Sequence, residues 1–149
     1  MIDRMDRLRE LRGLRRSIAE KDAERAKLAR AEFERKVHAA EGAHARAVAD
    51  ATTRRRAALD ALSDQPAGPL TVARMANVHG MVEHEIGERQ SEWDEARGEL
   101  DEAQAELAEK RDVLAQFLKK EEATDAAVER WEEATRHLRD AEEEDDGER

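Results

Sequence analysis

Apolar residues recur along the second half of the chain, from Val72 to Leu138, at alternating steps of four and three residues. Fourteen of the twenty positions reached in this way are apolar, and the order of steps is unbroken. A 3.5-residue apolar period predicts a long α-helix that packs against another helix with left-handed supercoiling. The positions of this predicted seam are Val72, Met75, His79, Val82, Ile86, Arg89, Trp93, Ala96, Leu100, Ala103, Leu107, Lys110, Leu114, Phe117, Glu121, Thr124, Val128, Trp131, Thr135 and Leu138.

The first half of the chain predicts another helix over residues 2–62, because no proline interrupts this stretch. Its start carries an apolar stripe that is wider than a coiled-coil seam, which is typical of a helix with more than one neighbour. This stripe consists of Met5, Leu8, Leu11, Leu14 and Ile18. The seam then continues mainly through small residues, namely Ala26, Ala29, Phe33, Val37, Ala40, His44, Ala47, Ala51, Ala58 and Leu62.

The two prolines of the chain lie close together in residues 63–69, with a glycine between them. Proline lacks a backbone donor and restrains the residue before it, so this stretch predicts a turn. Thr71 is the predicted N-cap of a second helix over residues 70–141, followed by an acidic tail, 142–149, that frays. The predicted fold is all-α, a single long antiparallel two-helix coiled-coil hairpin over residues 1–149. Residue i then faces roughly residue 132 − i.

Composition favours this elongated arrangement over a globular core. Charged residues make up 43% of the chain and aromatic residues 3%, which is too little apolar material for a compact domain of 149 residues. Residues 1–62 contain sixteen Lys and Arg against eleven Asp and Glu, whereas residues 63–149 contain eleven against twenty-six. The overall charge of −10 argues against nucleic-acid binding, since a phosphate backbone attracts basic surfaces.

Several segments and sites are not expected from this sequence. The absence of cysteine excludes disulfides and thiolate chemistry. No apolar run approaches the roughly 18 residues of a membrane span, and the N-terminus lacks the apolar core of a secretory signal. We therefore expect a cytoplasmic protein without membrane insertion.

Catalysis, cofactor binding and metal binding are likewise not expected. The glycines are scattered rather than gathered in a phosphate-binding loop. His38 and His44 lie on different faces of a helix, and the pair His79 and Glu83 has no third ligand on its face. A two-helix hairpin offers no apolar cleft in which a carboxylate could be tuned for acid–base work.

Partner binding is the remaining class of function, and two features point to it. Arginines are dense at the N-terminus, at positions 4, 7, 9, 12, 15 and 16. They either pair with the acidic end of helix 2 or dock an acidic partner, because arginine is favoured at interfaces. In the predicted register Trp131 lies opposite the N-terminal end of helix 1, where that helix no longer covers it fully. A partly covered tryptophan there could anchor another protein.

Three segments together resemble the type III secretion stalk proteins of the YscO/FliJ-like family. They are the basic start MIDRMDRLRELRGLRR, the break SDQPAGPLTVARM, and the tryptophan-containing segment AVERWEEATRHLRDAEEE. The resemblance covers almost the whole chain, and the YscO-like branch is nearer than the flagellar one. It implies a two-helix stalk in the pore of the hexameric export ATPase that also contacts the export-gate protein of the inner membrane.

The resemblance also implies where partners bind. The two chain ends would face the ATPase ring, and the turn with the start of helix 2 would face the gate or a chaperone. On this basis the ATPase-end residues are Arg4, Arg7, Leu8, Leu11, Arg12, Trp131 and Leu138. The tip residues are Met75, Val78 and Met81, although the gate-contact pattern of the flagellar branch cannot be matched here position by position.

Other functions remain open on the sequence alone. The same family resemblance allows an escort protein that binds free secretion chaperones. A generic structural coiled coil without any role in secretion fits the heptads equally well. The family role places the protein in the cytoplasm, peripheral to the inner membrane through the secretion apparatus.

Overall fold

The computed structural model describes the backbone of residues 2–147 and the side chains of residues 4–143. Helix α1 spans Ile2–Leu62 and helix α2 spans Pro69–Gly147, and the described residues contain no strand. The two helices pack against each other, which confirms the predicted all-α antiparallel hairpin. Within the described residues, neither helix has a stretch that is both long and apolar enough to cross a membrane.

The chain divides into two compact units, each built from parts of both helices. The terminal unit comprises Met1–Lys27 and Glu106–Arg149. The turn unit comprises Leu28–Ala105. Each unit is described separately below.

The turn begins where predicted, but α2 starts two residues earlier than the expected cap. The amide of Val72 donates to the carbonyl of Gly68 at 3.1 Å, so Gly68 is the N-cap and Pro69 is the first helical residue. Proline is well suited to this position because its missing donor would have no helical partner there. The predicted N-cap, Thr71, instead donates its hydroxyl to the carbonyl of Pro66 at 3.2 Å.

The far boundary of α2 also differs from the prediction. The helix was expected to end near residue 141, yet it continues to Gly147. Glutamate is a good helix former, so a short acidic run is not sufficient to end a helix. Residues 148–149 of the predicted frayed tail lie outside the described residues.

The predicted seam of α2 is largely the buried face of the helix. Its most buried members are Val82, Ala96, Ala103, Leu107, Thr124 and Val128. On α1 the buried residues are Ala19, Ala26, Ala47 and Ala51. Because most of these side chains are alanines, the core is narrow and the helices approach closely without burying much area.

Close to the turn, the seam follows a different path from the predicted one. Thr71 and Val78 are half-buried, whereas Val72 and His79 are exposed. From Thr71 to Ile86 the buried and half-buried positions that continue this face step 4, 3, 4 and 4 residues, and the predicted steps resume from Ile86 to Ala96. This spacing is a stutter, an insertion of four residues into the heptads that locally unwinds the supercoil. The prediction of an unbroken step order was therefore wrong in the turn unit.

The apolar stripe at the start of α1 is the largest departure from the prediction. Leu11 and Ile18 are 53% and 60% exposed, and Leu8 and Leu14 are exposed as well. The half-buried positions that face α2 are instead Met5, Arg9, Arg12 and Arg16, followed by the buried Ala19. Apart from Met5, the stripe therefore does not belong to the interface between the two helices.

Candidate functional site

Arginines of α1 occupy the interface of the terminal unit because α2 presents acceptors to them. The Nη1 atom of Arg16 donates to both carboxylate oxygens of Glu121 at 3.1 Å. Arg9 pairs with Asp125 at 3.3 Å, and Arg12 donates to the carbonyl of Lys120 at 2.6 Å. Such charge-assisted contacts fix the rotation of α1 about its own axis. These three arginines therefore face α2, and the leucines at the start of α1 face outward.

The arginine contacts also test the predicted pairing of the two helices. The bond from Arg12 to Lys120 joins residues that the predicted register, 132 − i, places opposite each other. The Arg16–Glu121 pair is displaced by five residues from that register. Each side chain of a helix leans towards the N-terminus of that helix. In an antiparallel pair, the backbone positions of two contacting residues therefore both lie further along the chain than the point at which their side chains meet.

We expect a double-mutant cycle of Arg16→Ala and Glu121→Ala to give a coupling free energy of about 0.5–1 kcal/mol. The value is modest because the side chains are 42% and 24% exposed. Urea unfolding followed by circular dichroism measures it. The matched control is the surface pair Arg30 and Glu34, at 3.9 Å, for which about 0.3 kcal/mol is expected. A coupling no larger than that of the control pair would show that the Arg16–Glu121 contact does not orient α1.

Trp131 is half-buried and lines a surface pocket of the terminal unit with Met5, Val128 and Thr135. Its ring is therefore partly held by the hairpin and partly open, as predicted for an anchor residue. Leu138, the last residue of the predicted seam, is 66% exposed and does not line this pocket.

The other residues predicted for the ATPase end share the stripe side of α1. Arg4, Arg7, Leu8 and Leu11 are exposed, and Arg12 is half-buried at its edge. The structure therefore brings Leu8, Leu11 and Arg12 together along one groove. It places the pocket of Trp131 beside the start of the same helix, through Met5.

The turn unit carries a separate apolar groove. It is lined by Leu59 of α1 and by Val72, Met75, Ala76 and Val78 of α2. The predicted tip residues Met75 and Val78 belong to it, but Met81 does not and is exposed elsewhere on α2. The sequence analysis did not single out Leu59, and it placed Val72 on the seam rather than in the wall of a groove.

Ion pairs border this groove. Arg55 contacts His79 and Glu83, and Arg54 donates to Glu85 at 2.6 Å. These contacts join α1 to α2 across the turn unit and leave the apolar groove with charged edges.

Two further contacts of the turn unit involve Arg89 and His44. Arg89 donates to Glu92 at 2.8 Å, and this hydrogen bond raises the pKa of Arg89 above its ordinary value. His44 packs against Trp93 with ring centroids 5.4 Å apart. Among the described residues, no group of three or more His, Asp or Glu is placed to hold a metal ion.

Three surfaces of the described residues are candidate docking sites: the groove lined by Leu8, Leu11 and Arg12 and the Trp131 pocket in the terminal unit, and the apolar groove in the turn unit. Comparison with known proteins adds no family to this description. No family profile, no curated protein and no solved structure matches the chain.

Proposed function

We propose that the protein is a central stalk component of a type III secretion export apparatus. In this role the terminal unit binds the hexameric export ATPase ring and the turn unit contacts the export gate. The observation that carries the proposal is that each unit of a highly charged hairpin has its own exposed apolar surface. Two separate docking surfaces are what a linker between two bodies requires.

The terminal unit suits a protein partner because its exposed surface combines apolar and cationic side chains. Leu8 and Leu11 are exposed beside Arg4 and Arg7, and Trp131 is partly open. Tryptophan and arginine are the residues that most often dominate binding energy at protein interfaces. An acidic, apolar surface on the ATPase ring would complement this composition.

The turn unit suits a second partner of different character. The groove formed by Leu59, Val72, Met75 and Val78 is almost entirely apolar. Methionine adapts its shape readily, which favours binding surfaces that accept varied partners. This groove supports contact with the export gate.

Co-purification with the cognate export ATPase tests the stalk proposal. We expect the full-length chain to retain the ATPase and a strain lacking the chain to secrete poorly. Failure to bind the ATPase, together with full secretion by the deletion strain, would reject the stalk role.

An escort role for free secretion chaperones is the second candidate, and the adaptable groove of the turn unit favours it. In that case the chain retains chaperones but not the ATPase. Leu59→Gln would then reduce chaperone retention, whereas the exposed Met81, which lies outside the groove, provides the control Met81→Gln. If neither partner binds, a generic structural coiled coil is the remaining reading.

These proposals share some general features. The protein acts by binding and not as an enzyme, and it needs no cofactor. It resides in the cytoplasm and is peripheral to the inner membrane through the secretion apparatus.

A further inference from the structure

Helix α1 carries two adjacent seams at its start, and only one of them is used within the hairpin. The used seam runs through Met5, Arg9, Arg12, Arg16 and Ala19. The second seam runs through Leu8, Leu11, Arg15 and Ile18, at steps of three, four and three residues. Each of these positions immediately precedes a position of the used seam, so the two seams are about 100° apart on the helix.

Two adjacent heptad seams are the pattern of a helix that packs against two other helices. In a two-helix coiled coil, one seam per helix is enough to bury the apolar side chains. The second seam of α1 is largely uncovered by the described residues, since Leu11 and Ile18 are more than half exposed. The exposed second seam therefore offers a position for one further helix beside α1.

Residues of helix α2 form the other wall of the groove that a further helix would occupy. Val113 and Phe117 of α2 line the same groove as Ile18, and Phe117 also lines the adjoining part with Leu8 and Leu11. The two parts share Arg15 and Phe117 as lining residues and together extend from Leu8 to Asp22 of α1. At about 1.5 Å per residue this length is about 21 Å, which accommodates about four turns of a helix.

The charges of the groove restrict the kind of helix that fits. Its cationic side chains are Arg12, Arg15, Lys110 and Lys120. Within the described residues, none of these four forms an ion pair with a carboxylate. The anionic lining residue Asp22 lies 3.9 Å from Arg25, which partly neutralises it.

We infer that this groove, named here the third-helix groove, binds an amphipathic helix of another protein whose apolar face is flanked by acidic residues. Apolar anchors at helical spacing would pack on Leu11, Ile18 and Phe117, as in other helix-in-groove complexes. Flanking carboxylates would pair with Arg15, Lys110 and Lys120, which supply complementary potential.

A second copy of this chain fits the groove poorly. A two-fold dimer through this face would place the same cationic residues of both copies opposite each other, because such an interface is self-complementary. Like charges across an interface oppose association.

The inference rests on the proposed function only for the identity of the partner, since Leu8 and Leu11 belong to the surface assigned to the ATPase ring.

The direct test uses designed peptides and the full-length chain. One fluorescein-labelled 18-residue peptide carries leucines at heptad positions and glutamates beside them, and a matched peptide carries lysine in place of every glutamate. Fluorescence anisotropy measures binding at low salt and at high salt. We expect the acidic peptide to bind at least tenfold more tightly than the basic one, with an affinity that falls as salt is added.

Variants of exposed residues locate the binding site without disturbing the core. The double variant Leu11→Gln with Ile18→Gln alters the third-helix groove and is expected to weaken the acidic peptide at least tenfold. The control Leu14→Gln with Leu28→Gln removes two exposed leucines that do not line the groove, at 57% and 62% exposure. It is expected to bind like the wild type, and circular dichroism checks the helicity of all variants.

Four outcomes would overturn the inference. Equal binding of the acidic and basic peptides would remove the charge argument, and unchanged binding by the groove variant would remove the site. Light scattering that shows a wild-type dimer, converted to a monomer by the groove variant, would assign the groove to a second copy. Because the ATPase is assayed separately, retention of the ATPase without peptide binding rejects the groove and leaves the stalk proposal standing.

Discussion

Leu107→Asp is expected to lower the free energy of unfolding by about 3–5 kcal/mol. Leu107 is 4% exposed on the buried face of α2, where Ala103 is also buried one turn earlier. The substitution removes the largest apolar side chain among the most buried core residues and replaces it with a carboxylate that must be desolvated without a partner. Loss of the circular dichroism signal at 222 nm during urea or thermal unfolding measures the effect.

Leu118→Asp is the matched control for this prediction. It makes the same chemical change on the same helix, but Leu118 is 40% exposed. Exposed substitutions away from special features usually change stability by about 0.5 kcal/mol or less. If Leu107→Asp melts like Leu118→Asp, the buried face of α2 does not contain Leu107.

The fold was predictable because one strong pattern determined most of it. Apolar residues at 3.5-residue spacing predominate from Trp93 to Phe117, where Lys110 is the one polar seam position, and both prolines lie in one short stretch. A period sustained over this length leaves few alternatives to a long helix with one buried face. The structure accordingly buries Ala96, Leu107 and Val128 on that face.

The stutter near the turn could not be predicted with equal certainty. Heptad positions Met75, Val82 and Arg89 belong to both the predicted and the observed seams. The seam position between Met75 and Val82 is ambiguous, because it can be either Val78 or its neighbour His79. Only the packing of these two side chains decides which one faces α1. An apolar preference alone would have selected Val78, which is the residue that the structure half-buries.

The candidate surfaces were predictable only in part of their residues and not in their orientation. Leucines at the start of α1 resemble core positions by every hydrophobicity criterion. The structure exposes them because Arg12 and Arg16 find acceptors on α2, including Glu121. A signal for this arrangement exists in the sequence, since Glu121 and Thr124 occupy seam positions that ordinarily hold apolar residues. A polar seam side chain requires a hydrogen-bond partner, which Glu121 finds in Arg16 of α1, whereas Thr124 donates to the carbonyl of Lys120 in its own helix.

Trp131→Ala is expected to weaken binding to the export ATPase ring by at least tenfold, if the terminal unit is the docking surface proposed above. Truncation of a tryptophan at an interface commonly costs about 2 kcal/mol or more of binding free energy. The ring of Trp131 is half-buried beside Met5 and Val128, so the hairpin already holds it in place for a partner. Titration of the ATPase with labelled full-length chain measures the change.

Trp93→Ala distinguishes a binding role from a structural one. Trp93 also lies on the seam of α2, but in the turn unit, where it packs beside His44. Its loss is expected to lower unfolding stability by about 1–3 kcal/mol while leaving ring binding by the folded chain unchanged. Trp131→Ala should show the opposite pattern, with weak binding and a nearly intact helical signal. If Trp131→Ala instead loses most of its helicity, then Trp131 belongs to the core, and the ATPase contact must be sought among the exposed residues of the stripe.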